Sequence, residues 1–157
     1  MSDFTKCQQA KVIRFGDDFA ERSETNLLFG LNPRAGMMKG AASLKPVGRI
    51  ALIWWPSNPG DNNEWVDVKE QFGPLSDSRG WQEVLQISEM NRDPEENKRH
   101  LEETLANPWS QTRYVFWHES YQNARWYKFY GVYKFMREKS QATGKCWFER
   151  VAKQIEL

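Results

Sequence analysis

Between Trp109 and Phe135 the chain carries eleven aromatic residues in 27 positions, half of its 22. Arg113, Arg125, Lys128 and Lys134 are interleaved with them. Aromatic faces stack on nucleic-acid bases while Lys and Arg hold phosphates, so this mixture suits nucleic-acid binding. Reading a flipped base needs the same parts, arranged as an aromatic-walled pocket with polar groups aimed at the base edge. Trp54, Trp55, Trp117, Trp126 and Tyr130 are the candidate stacking or pocket residues, and Arg125, Lys128, Lys134 and Arg137 the candidate phosphate ligands. Two other readings use the same side chains. Such rings pack small sheets, where aromatic residues are favoured. An exposed Trp/Tyr patch with Arg also makes a protein–protein hot spot, which gives an interaction module as the alternative function.

Other chemistry is thinner. His100 lies in the charged run 97–100, where a solvated role is expected. His118 precedes Glu119 and Ser120, which supplies a second alternative, a small nuclease working through His118 and Glu119. Successive strand residues point to opposite faces, so three neighbours in a row do not converge on one substrate atom. Cys7 and Cys146 are too few for a structural zinc site and do not suggest a disulfide framework. No metal site and no cofactor are expected. Gly30, Gly36 and Gly40 with Lys39 lack the spacing of a P-loop or a dinucleotide fingerprint and read as a flexible loop.

The elements that must position these residues are short. Residues 26–44 are punctuated by glycine and proline and predict a loop, and the apolar run 50–55 predicts a buried strand that stops at the turn 56–61. Residues 65–69 alternate weakly and predict a second strand. Ser76 or Asp77 can cap a helix through Met90, with Trp81, Val84, Leu85 and Ile87 as its apolar stripe. Asp93, Pro94 and Glu95-Glu96 give an N-cap, a first helical residue and an acidic first turn, so a surface helix should follow to Ala106. The last third predicts strands over 112–118, 125–137 and 145–151, with a hairpin-like connection across 138–145. In the long strand Tyr127, Phe129, Gly131, Tyr133 and Phe135 should face one side, and Trp126, Lys128, Tyr130, Val132, Lys134 and Met136 the other.

At 157 residues the chain predicts a single domain over 1–157, with a helical acidic segment at 76–106 and aromatic, basic strands at 109–157. The net charge of +1 hides an asymmetry: residues 1–60 carry +3, residues 61–108 carry −7 and residues 109–157 carry +5. The basic last third points to an anionic partner, unless it pairs with the acidic middle. The longest apolar run has six residues, against about 20 for a bilayer-spanning helix, so no membrane span is expected. With no apolar core at the N-terminus and two free thiols, the expected location is cytoplasmic.

Three stretches carry a family resemblance: Arg113-Tyr114-Val115-Phe116, then 125–133 with Tyr127-Lys128-Phe129-Tyr130-Gly131-Val132-Tyr133, then Trp147-Phe148-Glu149-Arg150-Val151. Together they resemble the C-terminal strands of PUA-like β-barrel modules, and within these the EVE-like and SRA-like branches often attached to modification-dependent restriction enzymes. The match covers residues 112–151. The resemblance implies a small curved barrel, a strand that bends at its glycine, and a concave face that receives a modified base flipped from the duplex.

The expected fold is therefore α+β, a curved, mostly antiparallel sheet or partly closed PUA-like barrel with two or three flanking helices. The expected function is a non-enzymatic nucleic-acid-binding module, reading a modified or flipped base of DNA or RNA in DNA defence or RNA metabolism.

Overall fold

A computed structural model describes residues 2–37, 39–56, 65–75, 82–121 and 124–157. The chain begins with α1 (Phe4–Ala10), β1 (Val12–Arg14), β2 (Asp18–Phe19) and α2 (Arg22–Leu28). Next come β3 (Ala41–Ser43), β4 (Leu52–Trp54), β5 (Trp65–Leu75), β6 (Gln82–Asn91) and α3 (Pro94–Ala106). It ends with β7 (Thr112–Tyr121), β8 (Ala124–Phe135), α4 (Arg137–Thr143), β9 (Trp147–Ala152) and β10 (Gln154–Glu156).

The principal sheet runs β3-β4-β7-β8-β9-β6-β5, and β2 pairs with β8 outside that path. Among the described residues it does not close into a barrel. All its pairs are antiparallel except β4 with β7. A separate ribbon of β1 and β10 ties the beginning of the chain to its end. The α+β class and the mostly antiparallel sheet agree with expectation, although four α-helices flank the sheet among the described residues instead of two or three.

Helix α3 starts where its signals place it: the Asp93 carboxylate accepts from the Glu95 N–H, and Pro94 opens the first turn. Two other elements differ. The helix predicted from Ser76 or Asp77 to Met90 is overturned over 82–90, which form strand β6; residues 76–81, Trp81 among them, lie outside the described residues. Pairing with β5 on one side and β9 on the other satisfies the β6 backbone and overrides the helical spacing of Val84, Leu85 and Ile87. The long strand ends at Phe135, so Arg137 opens helix α4, which spans most of the connection expected to be hairpin-like.

Strand β8 also departs from simple alternation. Val115 faces Gly131 while Phe116 faces Phe129, so Tyr130 is one residue too many for the ladder. This is a β-bulge, and Gly131 adopts φ 123° at it. A one-residue slip exchanges the two faces of a strand. Hence Phe129 and Val132 join one core cluster with Ile13, Phe19 and Trp55. Tyr130 and Tyr133 join the other, with Trp54, Trp117 and Phe148. Only glycine fits at the bulge, because a Cβ there would lie 2.7 Å from the Ala152 carbonyl oxygen and 2.9 Å from Arg150 Cδ. The bulge and the close backbone approach lie at the glycine where the family resemblance implied a bend.

Candidate functional site

Packing has taken most of the rings expected to stack on a ligand. Trp54 is 3% exposed, Trp55 2%, Trp117 0% and Tyr130 1%. Trp54 tilts against Phe148 at 5.3 Å, and Trp117 against Tyr130 at 5.6 Å. The Trp55 indole N–H donates to Thr25 Oγ1 at 3.2 Å, and the Tyr130 hydroxyl donates to the Glu119 carboxylate. Trp126 alone of the five is half-buried, opposite Glu119 in the β7–β8 ladder.

The expected phosphate ligands separate in the same way. Lys128 is buried, with its ammonium 2.8 Å from the Asp18 carboxylate, so it does not face a solvent-borne phosphate. Arg125, Lys134 and Arg137 are exposed. Arg125 and Lys134 stand near opposite ends of β8, about 30 Å apart at the usual strand rise. They do not form one site.

What the fold does assemble is a cleft at the Arg125 end of β8. It measures about 370 Å³ and is lined by Ala20, Glu21, Arg22, Ser23, Met37, His118, Arg125 and Tyr127. The Tyr121–Ala124 pair closes the β7–β8 hairpin and thereby sets His118 opposite Tyr127. Their rings stack with centroids 4.9 Å apart and 17° between planes. On the neighbouring edge Phe19 of β2 pairs with Tyr127, so the chain beyond Phe19 runs across the cleft and starts α2 there. The start is fixed by a capping box. The Glu21 carboxylate accepts from the Glu24 N–H, and the Glu24 carboxylate accepts from the N–H groups of Glu21 and Ala20. Arg22, the first residue of α2, holds its guanidinium 5.1 Å from the Trp55 ring and 5.8 Å from the Tyr127 ring. Ser23 Oγ donates to Glu21 Oε2 at 3.1 Å.

The cleft thus joins a stacked imidazole–phenol pair to two guanidinium groups, one carboxylate and a hydroxyl. A flat, polar molecule can stack on such a wall and find both donors and acceptors at its edges. Sequence reasoning named Arg125 and His118 but missed Arg22, Tyr127 and Met37. Alternation along the strand groups Tyr127 with Phe129, and the register of the hairpin is the signal that pairs it with His118.

A second polar group lies inside the molecule. Glu89, His100 and Cys146 place one possible ligand atom each within 4.8 Å of one another. The Glu89 carboxylate is already bound there, accepting from Arg113 at 2.8 Å and lying 3.0 Å from His100 Nε2. Arg113 is itself sandwiched near Trp54 and Phe148, at 4.6 and 4.0 Å from their ring centroids. A divalent ion would share this space with a fixed guanidinium, so the group reads as a buried ion-pair network. Burial pushes the Cys146 thiol up to about 12, and burial together with the Asp17 carboxylate does the same to Cys7. Neither thiol is a poised nucleophile.

A family model, the SET and RING associated (SRA) domain, matches residues 6–157, far more than the 112–151 of the resemblance in the sequence. No curated protein sequence matches the chain. Among solved structures, the 5-hydroxymethylcytosine-specific restriction enzyme AbaSI aligns with a TM-score of 0.72 at 20% identity. The alignment covers 98% of this chain and 44% of that one, so the chain spans less than half the length of that enzyme. At this identity the likeness is one of fold.

Proposed function

The chain belongs to the SET and RING associated domain family, and from that premise we propose that it is a DNA-binding module that reads a modified cytosine swung out of the duplex into the His118–Tyr127 cleft. The observation that carries this reading is the stacked His118–Tyr127 pair with Arg22 and Arg125 beside it, in a cleft of about 370 Å³. Tyr127 and His118 provide the stacking wall. Glu21 accepts from the exocyclic amine of cytosine, a pairing that suits a carboxylate. Arg22 donates toward the carbonyl edge or toward a polar group on C5, Ser23 orients the Glu21 carboxylate through its hydroxyl, and Arg125 holds a phosphate at the mouth.

The neighbour of known structure is specific for 5-hydroxymethylcytosine, which makes a hydroxymethyl group the first 5-substituent to test. Its restriction activity belongs to the whole of that longer protein; here the module recognises the base in a restriction-like defence system. The test is a titration of labelled duplexes that differ at one position, carrying cytosine, 5-methylcytosine or 5-hydroxymethylcytosine. A modified duplex should bind at least several-fold more tightly than the plain one at equal salt. Equal affinities for all three duplexes would overturn the reading.

A further inference from the structure

The base cleft does not end at Met37. That side chain also lines a second cleft of about 330 Å³, bounded by Arg34, Ala35, Gly36 and Lys39 on one side and by Ala41–Ser43 of β3 on the other. Among the described residues, no acidic side chain lines this second cleft. Arg34 and Lys39 are exposed, and among the described residues no carboxylate pairs with either. The turn that carries Arg34 is held from beneath. Asn26 is fully buried, and its Nδ2 donates to the carbonyl oxygens of Pro33 and Ala35, both at 3.0 Å. Asn32 Oδ1 accepts from the Arg34 N–H at 2.9 Å. Gly36 closes the turn in a left-handed conformation, φ 69°, where a Cβ would lie 2.2 Å from the Ala41 carbonyl oxygen. Arg34 and Lys39, without a carboxylate partner among the described residues, thus flank a preformed turn in a cleft that shares Met37 with the base cleft. Preformed geometry reduces the ordering cost of binding.

We infer that Arg34 and Lys39 hold backbone phosphates of the strand whose base enters the His118–Tyr127 cleft, so that the turn Asn32–Met37, together with Lys39 just beyond it, forms a second contact with DNA. The inference rests on the base-reading function proposed above. It extends the footprint along the strand beyond the flipped nucleotide, and it adds affinity that carries no sequence or modification preference.

The test compares wild type with R34Q, K39Q and the double variant. Both side chains are exposed and support no core contact, so each variant should fold as wild type does. Affinity for the 5-hydroxymethylcytosine duplex and the plain duplex is measured by anisotropy between about 50 and 200 mM salt. Each lost phosphate contact should reduce the slope of log affinity against log salt by about 0.9. The double variant should lose about twice that, with the ratio between the two duplexes unchanged. A double variant with the wild-type slope overturns the inference and leaves the base-reading function standing. A reduced slope with no base preference in any form, wild type included, supports the turn as a DNA contact and overturns the base-reading function. Failure of wild type to bind either duplex overturns both.

Discussion

Lys128 and Asp18 form an ion pair at 2.8 Å inside the molecule, with the lysine side chain 1% and the aspartate 14% exposed. The pair bridges β8 to β2, where the two residues are also register partners. Paired in this way, the ammonium works on folding and not on phosphate. Removing one partner of a fully buried pair costs about 3–5 kcal/mol when the other is left uncompensated. Because Asp18 keeps some contact with water and a further interaction, Lys128→Ala should cost less than that in urea unfolding. The folded fraction of the variant should keep the wild-type salt dependence of DNA binding, in contrast to Arg125→Ala, which should lower the slope.

Gly131 permits the bulge that sends Tyr130 and Tyr133 to one core and Phe129 and Val132 to the other. Gly131→Ala adds both a disfavoured backbone and a clash with the Ala152 carbonyl. It should cost about 1–3 kcal/mol or more. Gly144→Ala is the control: its φ is 77° but nothing lies within 4 Å of the added Cβ, so only the backbone cost of about 1–2 kcal/mol applies. Chemical denaturation of the two variants measures the difference.

Acid should weaken the fold through Glu89. Burial pushes its carboxyl up, but the Arg113 charge and the His100 contact outweigh burial and hold it below the usual carboxylate range. A depressed folded-state value means that the stabilisation is present above the unfolded value of about 4.3 and is lost as pH falls through the folded one. Thermal unfolding followed from neutral pH downward should show the loss on the acid side. Glu89→Gln should be less stable at neutral pH, and its gap from wild type should narrow as pH falls through that window.

Much of the fold was legible in local patterns. The aromatic alternation marked β7, β8 and β9, and the Asp93-Pro94-Glu95-Glu96 run marked α3. Strand β6 was not legible: Val84, Ile87 and the buried Ser88 and Glu89 follow neither a clean period of two nor the solvent face of a helix. Of its partners, β5 is the preceding strand but β9 is distant in sequence, and pairing with both makes residues 82–91 a strand. The site was half legible. Composition pointed to the basic, aromatic last third, and Arg125 and His118 are in the cleft. Trp54, Trp55 and Trp117 are buried, since in this small sheet the largest rings fill the two cores, while Trp126 stays half-buried. Glu21, Arg22 and Met37 come from the N-terminal third, and the β2–β8 pairing brings Glu21 and Arg22 to the cleft.

The most direct test of the base-reading claim is the effect of Tyr127→Ala on discrimination. The quantity measured is the ratio of affinities for duplexes carrying 5-hydroxymethylcytosine and plain cytosine, at one salt concentration, with circular dichroism confirming the wild-type fold. Loss of one stacking partner costs about 1–3 kcal/mol per base. The account predicts that this loss falls on the modified duplex, bringing the ratio toward one while affinity for the plain duplex stays near wild type. A ratio unchanged by Tyr127→Ala, or an equal loss on both duplexes, would contradict it.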